Sequence, residues 1–284
     1  MMDRVVVVGA SGMLGRALLA LLGREGVRFR AVDRPVLDLT DPTSVARALN
    51  TDVDTVINCA GYTDVPGAEH HEREACAING DGVGHLAARC RDVGATLVHY
   101  STDYVFDGRA TRPYPTHHPR APLNAYGRSK ALGEERLEQA GARHLLIRTS
   151  WLYAPWGKNF VLTMRERMRT QDLVRVVNDQ TGRPTSAEYL AARSLALLRH
   201  GATGTFHVTD GGQCTWFDFA SCIAQLTATR CRVEPCATAD FASSVVRPAY
   251  SVLDLEGTEA LIGPSRPWEQ NLADVLRAGV VGAG

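Results

Sequence analysis

A run of four valines, Val5 to Val8, leads straight into Gly9-Ala10-Ser11-Gly12-Met13-Leu14-Gly15, and a helical pattern begins within that string. No other feature narrows the fold as much. Four β-branched residues in succession suit a strand buried on both faces, the condition of a parallel sheet covered by helices. Glycines spaced G-x-x-G-x-x-G between such a strand and a helix allow a tight turn, a close approach of backbone to a pyrophosphate, and close helix–sheet packing. The helix N-terminus adds free N–H groups and the positive end of its dipole. Gly9, Ser11, Gly12, Met13, Leu14 and Gly15 are therefore the expected phosphate-binding residues of a dinucleotide site. The alternative is a glycine-rich turn with no ligand.

The pattern downstream agrees with a doubly wound sheet. Strands are predicted at 4–8, 29–32, 55–58, 96–100 and 144–148, alternating with helices at 13–22, 42–48, 68–90 and 125–139. Such alternation is the signature of α/β folds with a parallel sheet. Asp41-Pro42 supplies a cap and a first-turn proline for the second helix, as helix starts prefer. A polar, proline-containing loop spans 107–123. Beyond Ser150 the pattern loosens into helices at 160–169, 187–199 and 217–226, with short strands at 173–177 and 205–208. The expectation is a Rossmann domain over 1–150 and a smaller, mainly substrate-binding lobe over 151–284, with the chain crossing between them. No internal repeat or low-complexity tract is present.

Composition excludes several classes of function. Thirty-one basic and thirty-one acidic residues balance, so the electrostatic footprint of a nucleic-acid binder is missing. No apolar run approaches the roughly 18–20 residues that span a bilayer. Met1-Met2-Asp3-Arg4 enters the first strand with no room for a signal peptide, which makes the cytoplasm the expected compartment. None of the seven cysteines forms a C-x-x-C pair, so buried thiols are expected rather than a zinc ribbon or a redox dithiol.

At the other end of the cofactor, Asp33 closes the second strand where an acidic residue usually bonds the adenosine ribose 2′-hydroxyl. That favours NADH. Arg34 follows and would suit a 2′-phosphate, so NADPH stays open. Asp38-Leu39 is placed to lie under the adenine or to be plain loop, and Ala60-Gly61-Tyr62 follows the third strand where small residues let the chain pass close to the cofactor.

Tyr126-Gly127-Arg128-Ser129-Lys130 sets tyrosine and lysine at i and i+4, on one helix face. A phenol of ordinary pKa about 10 is a poor proton carrier near neutrality, and a neighbouring ammonium is expected to lower it. Only two of the thirty-one basic residues are lysine, Lys130 and Lys158. A compact ammonium also suits nicotinamide ribose hydroxyls better than a planar guanidinium does. A second hydroxyl for the substrate carbonyl is expected from Ser101 or Thr102, at the C-terminal end of the fourth strand, where ligands of parallel sheets gather.

Five strings then occur in order: the glycine motif, Ser101-Thr102-Asp103-Tyr104-Val105-Phe106-Asp107-Gly108, Tyr126-Gly127-x-Ser129-Lys130, Arg148-Thr149-Ser150-Trp151-Leu152-Tyr153 and Asp179-Gln180-x-Gly182-x-Pro184-Thr185. Together they resemble the dTDP-4-dehydrorhamnose reductase family, an extended branch of the short-chain dehydrogenases/reductases, over nearly the whole chain. The resemblance implies reduction of the 4-keto group of a dTDP-4-keto-6-deoxyhexose with NADPH or NADH. Tyr126 would donate the proton, Thr102 would bond the carbonyl oxygen, Lys130 would complete the catalytic set, and Asp103, Tyr104 and Trp151 would contact the sugar nucleotide. Trp151 follows the fifth strand, so stacking on a sugar and packing the lobes together are both open to it. Gly61, Asp64 and Pro66 depart from the family pattern on the substrate side, which leaves another deoxysugar open. A sugar-nucleotide epimerase with retained NAD, and a non-catalytic regulatory subunit of the same fold, are the competing readings; the intact Thr102, Tyr126 and Lys130 speak against the second.

The resemblance allows a homodimer, which some members of the family join through magnesium. Here the first helix reads Arg16-Ala17-Leu18, with no carboxylate before Glu25, and Glu188 alone is a thin site for magnesium. No metal is expected. His70-His71-Glu72 is read as a solvated helix face, since neighbours on a helix point about 100° apart. His117-His118 is expected to be exposed, and Lys158 to lie near the substrate or on the surface.

Overall fold

The structure, a computed structural model, describes residues 4–49, 52–241 and 245–281. Five strands in chain order, β1 (Val5–Val8), β2 (Phe29–Val32), β3 (Thr55–Asn58), β4 (Thr96–Thr102) and β5 (His144–Thr149), pair in parallel with the strand Gly204–His207. Their order across the sheet is β2-β1-β3-β4-β5-(Gly204–His207). The direction of winding reverses between β1 and β3, and the crevice at such a point is where open α/β sheets bind ligands.

The valine run behaves as its composition requires. Val5 and Val7 pack on one side of the sheet with α1 (Met13–Arg24) and the helix Ala187–Arg199. Val6 and Val8 pack on the other, with α2 (Pro42–Ala48), α5 (Gly82–Val93) and α6 (Ala125–Ala140). All four valines are buried, which is why the run does not alternate with polar residues. A third cluster, built around Tyr153, Phe219, Trp268 and Leu272, forms the core of the C-terminal part.

Two features differ from the pattern read off the sequence. The stretch expected to be one helix over 68–90 is α3 (Val65–His70), α4 (Glu72–Cys76), one wide turn at Ala77–Asp81 and α5. Each added N–H in that wide turn reaches back five residues, as Gly82 does to Ala77, and such bulges are frequent at functional sites. Beyond 226 no strand or helix is predicted, yet Arg232–Cys236 pairs in parallel with Leu173–Val177 and helices follow at Glu256–Ile262 and Trp268–Val281. Arg232–Cys236 is an edge strand carrying Pro235, which only an edge tolerates. Leu272, Val275 and Leu276 give the last helix its buried stripe.

Backbone crowding fixes the first βα turn. A Cβ on Gly15 would collide with the carbonyl oxygens of Gly9 and Ala10, the latter at 2.6 Å. Gly23, in the same helix, has nothing within 4 Å of such an atom. Gly15→Ala should therefore destabilise the protein by about 1–3 kcal/mol, whereas Gly23→Ala should stabilise it by up to ~1 kcal/mol. Urea unfolding of both variants checks this; equal midpoints would mean that the turn yields to the extra methyl.

Candidate active site

A cleft of about 700 Å³ opens at the C-terminal ends of β1, β3, β4 and β5. Its floor is the glycine turn. Gly9 adopts φ 74° and lies so close to the next crossover that a Cβ would sit 2.5 Å from the Ala60 nitrogen. The first turn of α1 has Gly12 as its cap residue and no side-chain cap, so its outermost N–H groups are left for an anion. Ser11, Gly12, Met13 and Leu14 line the cleft; Gly15 does not, and its part is to let helix and turn touch.

The Asp33 carboxylate accepts the Ser11 N–H at 3.0 Å and faces the cleft beside exposed Arg34. Asp38 also lines it with Leu39, but its carboxylate turns back to accept the Thr40 hydroxyl at 2.7 Å and the Thr40 N–H at 2.9 Å. Those two bonds hold it below the usual carboxylate range. Of the two roles open to Asp38, the turn-forming one is therefore visible in the structure.

Ala60, Gly61 and Tyr62 form the opposite lip. They are held by two asparagines that the sequence did not flag. Asn58 Oδ1 accepts the Ala60 N–H at 3.1 Å. Asn79, presented by the wide turn, accepts the Tyr62 N–H at 2.8 Å and donates to the Tyr62 carbonyl at 2.9 Å and to the Ser129 hydroxyl at 2.9 Å. Ser129 in turn donates to the Tyr126 carbonyl at 2.8 Å. The lip and the first turn of α6 thus move as one piece.

Asn124 caps α6, accepting the Gly127 N–H at 2.8 Å, and this places Tyr126 and Lys130 on the face that lines the cleft. The Tyr126 phenol interacts with the Thr102 hydroxyl, and its ring meets Tyr104 edge-on at 6.0 Å. Thr102 donates to Asp103 Oδ1 at 2.9 Å and accepts the Tyr104 N–H at 3.2 Å. The buried Ser101 hydroxyl lies towards Glu134 and has no hydrogen-bond partner among the described residues. The two candidate hydroxyls therefore have different neighbours, and Thr102 is the one beside the phenol.

The charges differ from the simple expectation. Burial pushes the Tyr126 phenol up, the Asp103 carboxylate adds to this, and the Thr102 hydrogen bond opposes it. The Lys130 head is not turned to the phenol: Nζ donates to the Tyr100 carbonyl at 2.5 Å and lies 3.5 Å from His99 Nε2. Burial pushes Lys130 down to about 8, with Glu134 opposing. The ammonium that was expected to lower the tyrosine is itself held weakly in its charged form.

Asp103 and Tyr104 are buried, at 2% and 9% exposure, and neither lines the cleft. Trp151 does. It adopts φ 46°, stacks on Trp216 with ring centroids 3.5 Å apart, and presses on Gly182, where a Cβ would lie 2.6 Å from its ring. A bulky residue at positive φ is strained, and Trp216, absent from the sequence reading, is the ring that supports it.

His71 breaks α3 from α4, and Glu72 pairs with Arg128 at 2.6 Å. Among the described residues no group of three or more His, Cys, Asp or Glu side chains converges in a way that could hold a metal ion. His118 is half-buried rather than exposed, edge-on to Phe106 and Tyr114 at 5.6 and 4.9 Å, because the 107–123 loop folds back on its own aromatics. Lys158 is exposed at the rim of the cleft. Among the described residues no helix is long and apolar enough to cross a membrane.

A doubly wound parallel sheet with a glycine turn after its first strand and a tyrosine–lysine pair at the edge where its strands end defines an NAD(P)-dependent oxidoreductase of the short-chain type. Within that class the chain belongs to the RmlD substrate binding domain family, whose model matches residues 2–280. It is 42% identical over 280 residues to the dTDP-4-keto-6-deoxy-D-glucose reductase of Streptomyces niveus, covering 97% of both chains. It is 41% identical to the dTDP-4-dehydrorhamnose reductase of Streptomyces griseus, over 97% of this chain and 93% of that one. The crystal structure of the Bacillus anthracis dTDP-4-dehydrorhamnose reductase in complex with NADP superposes with a TM-score of 0.94 at 34% identity, covering 98% of this chain and all (100%) of the other.

Asp103 leaves a signature in stability. Burial raises its carboxyl from 3.8 to about 6, against hydrogen bonds from the Ser251 and Thr102 hydroxyls. The folded state therefore binds this proton more tightly than the unfolded chain. The resulting stabilisation is complete below about pH 3.8 and is lost as pH rises through about 6. The stability of wild type relative to Asp103→Asn should fall by up to about 3 kcal/mol between those limits. Urea unfolding across pH 4–7 measures it; a pH-independent difference would show that Asp103 ionises normally.

Proposed function

We propose that this chain reduces the 4-keto group of a dTDP-4-keto-6-deoxyhexose with NADPH or NADH. The observation that carries the proposal is the pairing of the Tyr126 phenol with the Thr102 hydroxyl on the cleft wall, in the same cleft as Lys130 and the Gly9–Leu14 turn. Relatives of the same length reduce dTDP-keto sugars by name, which supports the substrate class.

The residues present fit a dinucleotide. The uncapped first turn of α1 and the Gly9 approach would hold its pyrophosphate, Asp33 and Arg34 its adenosine ribose, and Lys130 its nicotinamide ribose. When bound, the cofactor supplies a hydride. With substrate bound, the Thr102 hydroxyl would turn its one hydrogen from Asp103 to the carbonyl oxygen, and Tyr126 would bond the same oxygen and give it a proton as the carbon is reduced. A phenol held above its ordinary value stays protonated at neutral pH, as a proton donor must. Trp151, braced by Trp216, offers a flat face to the sugar nucleotide; Asp103 acts from behind, holding the Thr102 hydroxyl until the carbonyl takes its hydrogen. The seven free cysteines suit a reducing compartment, which supports the cytoplasm as the place where it works.

Tyr126→Phe should keep cofactor affinity and lose ~10²–10⁴-fold in kcat. The assay is turnover of dTDP-4-keto-6-deoxysugars with NADH and NADPH, with product stereochemistry read by NMR. Near wild-type turnover in the variant would remove Tyr126 as the donor, and absence of turnover with every such sugar would sink the substrate class.

Cofactor choice should follow Asp33 and Arg34. A carboxylate repels a 2′-phosphate and accepts from a hydroxyl, while a guanidinium does the reverse. Asp33→Ala should shift kcat/KM towards NADPH and Arg34→Ala towards NADH. Unchanged ratios in both would mean that the adenosine end is read elsewhere.

A further inference from the structure

His99 is a wholly buried imidazole behind Lys130, and the reaction gives it no part. The two-residue period of β4 puts it on the face beneath α6, with Leu97. Strand register pairs it with Asn58 of β3, and Asn58 Nδ2 lies 3.1 Å from His99 Nδ1. The orientation of that amide is fixed, because Asn58 Oδ1 already accepts the Ala60 N–H at 3.1 Å. Turned over, the amide would set its NH₂ against that N–H, donor to donor. Asn58 is therefore the donor to Nδ1. A neutral imidazole that accepts at Nδ1 carries its hydrogen on Nε2.

Nε2 faces Lys130 Nζ at 3.5 Å. Against an ammonium, which has donors only, the Nε2–H meets a second donor. Against a neutral amine it meets a lone pair. We propose that His99 is a positioning residue for Lys130: its Nε2–H, held in place by Asn58, hydrogen-bonds the neutral amine and so brings the lysine's proton release into the working range of pH. The proposal rests on the reading of Tyr126 and Lys130 as the catalytic pair.

The surroundings agree with it. The Tyr100 carbonyl accepts from Nζ at 2.5 Å and holds the lysine head in either protonation state. Burial pushes Lys130 down to about 8. Glu134, one turn further along α6, works the other way, but its carboxylate is engaged by Arg148 and Arg120. His99 itself faces Lys130 and His144 of β5, and burial followed by those two charges holds it well below 6.5. It thus remains a neutral N–H donor at every pH at which Lys130 titrates. A lysine that releases its proton near neutrality is what a phenol needs to be replenished after each turnover.

The sequence makes the test direct, because the chain holds only two lysines, Lys130 and Lys158. Protein labelled with ¹³C-lysine gives two lysine Cε signals, and Lys158→Arg assigns them. In the wild-type protein the Lys130 midpoint should fall near 8. His99→Gln, whose amide can accept from Asn58 and donate to Lys130, should keep it there. His99→Phe, which has no donor, should raise it by about one pH unit, a tenfold gain in proton affinity. The high-pH limb of kcat should move with it. Should His99→Phe fail to fold, ¹⁵N-histidine spectra of the wild type decide, with His99 assigned by its loss in His99→Gln. The Nε2–H tautomer is expected, and the Nδ1–H tautomer overturns the proposal. So does a Lys130 midpoint that stays or falls in His99→Phe, or one that rises equally in His99→Gln. If the midpoints behave as stated and no dTDP-keto sugar is turned over, the assignment of the reaction fails and the pairing of His99 with Lys130 stands.

Discussion

Glu134 and Arg148 form the contact on which the site depends. The carboxylate is fully buried, and the guanidinium grips it with two bonds, Nε to Oε1 at 2.8 Å and Nη2 to Oε2 at 2.7 Å. Burial alone would raise the Glu134 carboxyl, but the hydrogen bonds and charge of Arg148 outweigh it and hold the group below its usual range. Arg148 also donates to the Thr116 carbonyl at 2.8 Å and lies over the Phe106 ring at 5.0 Å. Arg120 adds a second cation to Glu134 at 3.2 Å. One ion cluster therefore fastens α6 to β5 and to the 107–123 loop. Tyr126 and Lys130 ride on the first of these, and Trp151 follows the second. A buried pair of this kind is weak evidence for net stability, because desolvation offsets much of the attraction. Its fixed bidentate geometry is better suited to setting where α6 lies than to adding free energy.

The wide turn at Ala77–Asp81 does the same for the other wall. An α-helix run straight through would carry Asn79 to a different bearing. With one residue inserted, its amide spans the Tyr62 backbone and the Ser129 hydroxyl. The close approach this needs is visible at Gly133, where a Cβ would clash with the Asn79 carbonyl. Ser129 in the Y-x-x-S-K string is accordingly a joint between two helices, fully buried, rather than a group that faces the cleft.

What the sequence revealed and what it withheld divide along a physical line. The glycine turn, the valine strand, the capped α2 and the Tyr126–Lys130 spacing are local: each is set by residues within one or two turns of one another, and each is found where the sequence places it. Asn58 and His99 are 41 residues apart and acquire a joint role only through the register of β3 on β4. Asn79 depends on a helix irregularity that no periodicity announces, and Trp216 on two segments meeting in the C-terminal core. The expected lowering of Tyr126 by Lys130 missed for the same reason. Side chains at i and i+4 share a face, but a lysine stem is long, and the Tyr100 carbonyl of the neighbouring strand takes the head.

The site also shows where the fold accepts local cost. Trp151 sits at φ 46°, where a bulky side chain is strained, and Asp103 and Lys130 are ionisable groups kept out of water with values moved towards neutrality. None of these would be chosen for stability alone. Each is held by something rigid: Trp151 by Trp216 and by the bare backbone of Gly182, Asp103 by the Thr102 hydroxyl, Lys130 by a strand carbonyl. Strain and desolvation at a few adjoining residues, balanced by a well-packed sheet behind them, are the usual mark of groups set for chemistry rather than for packing. The scarcity of lysine fits this account. Arginine serves wherever the chain needs a charge that never leaves, as in Arg148. The one buried lysine stands where a charge has to come and go, which a guanidinium of pKa above 12 cannot do.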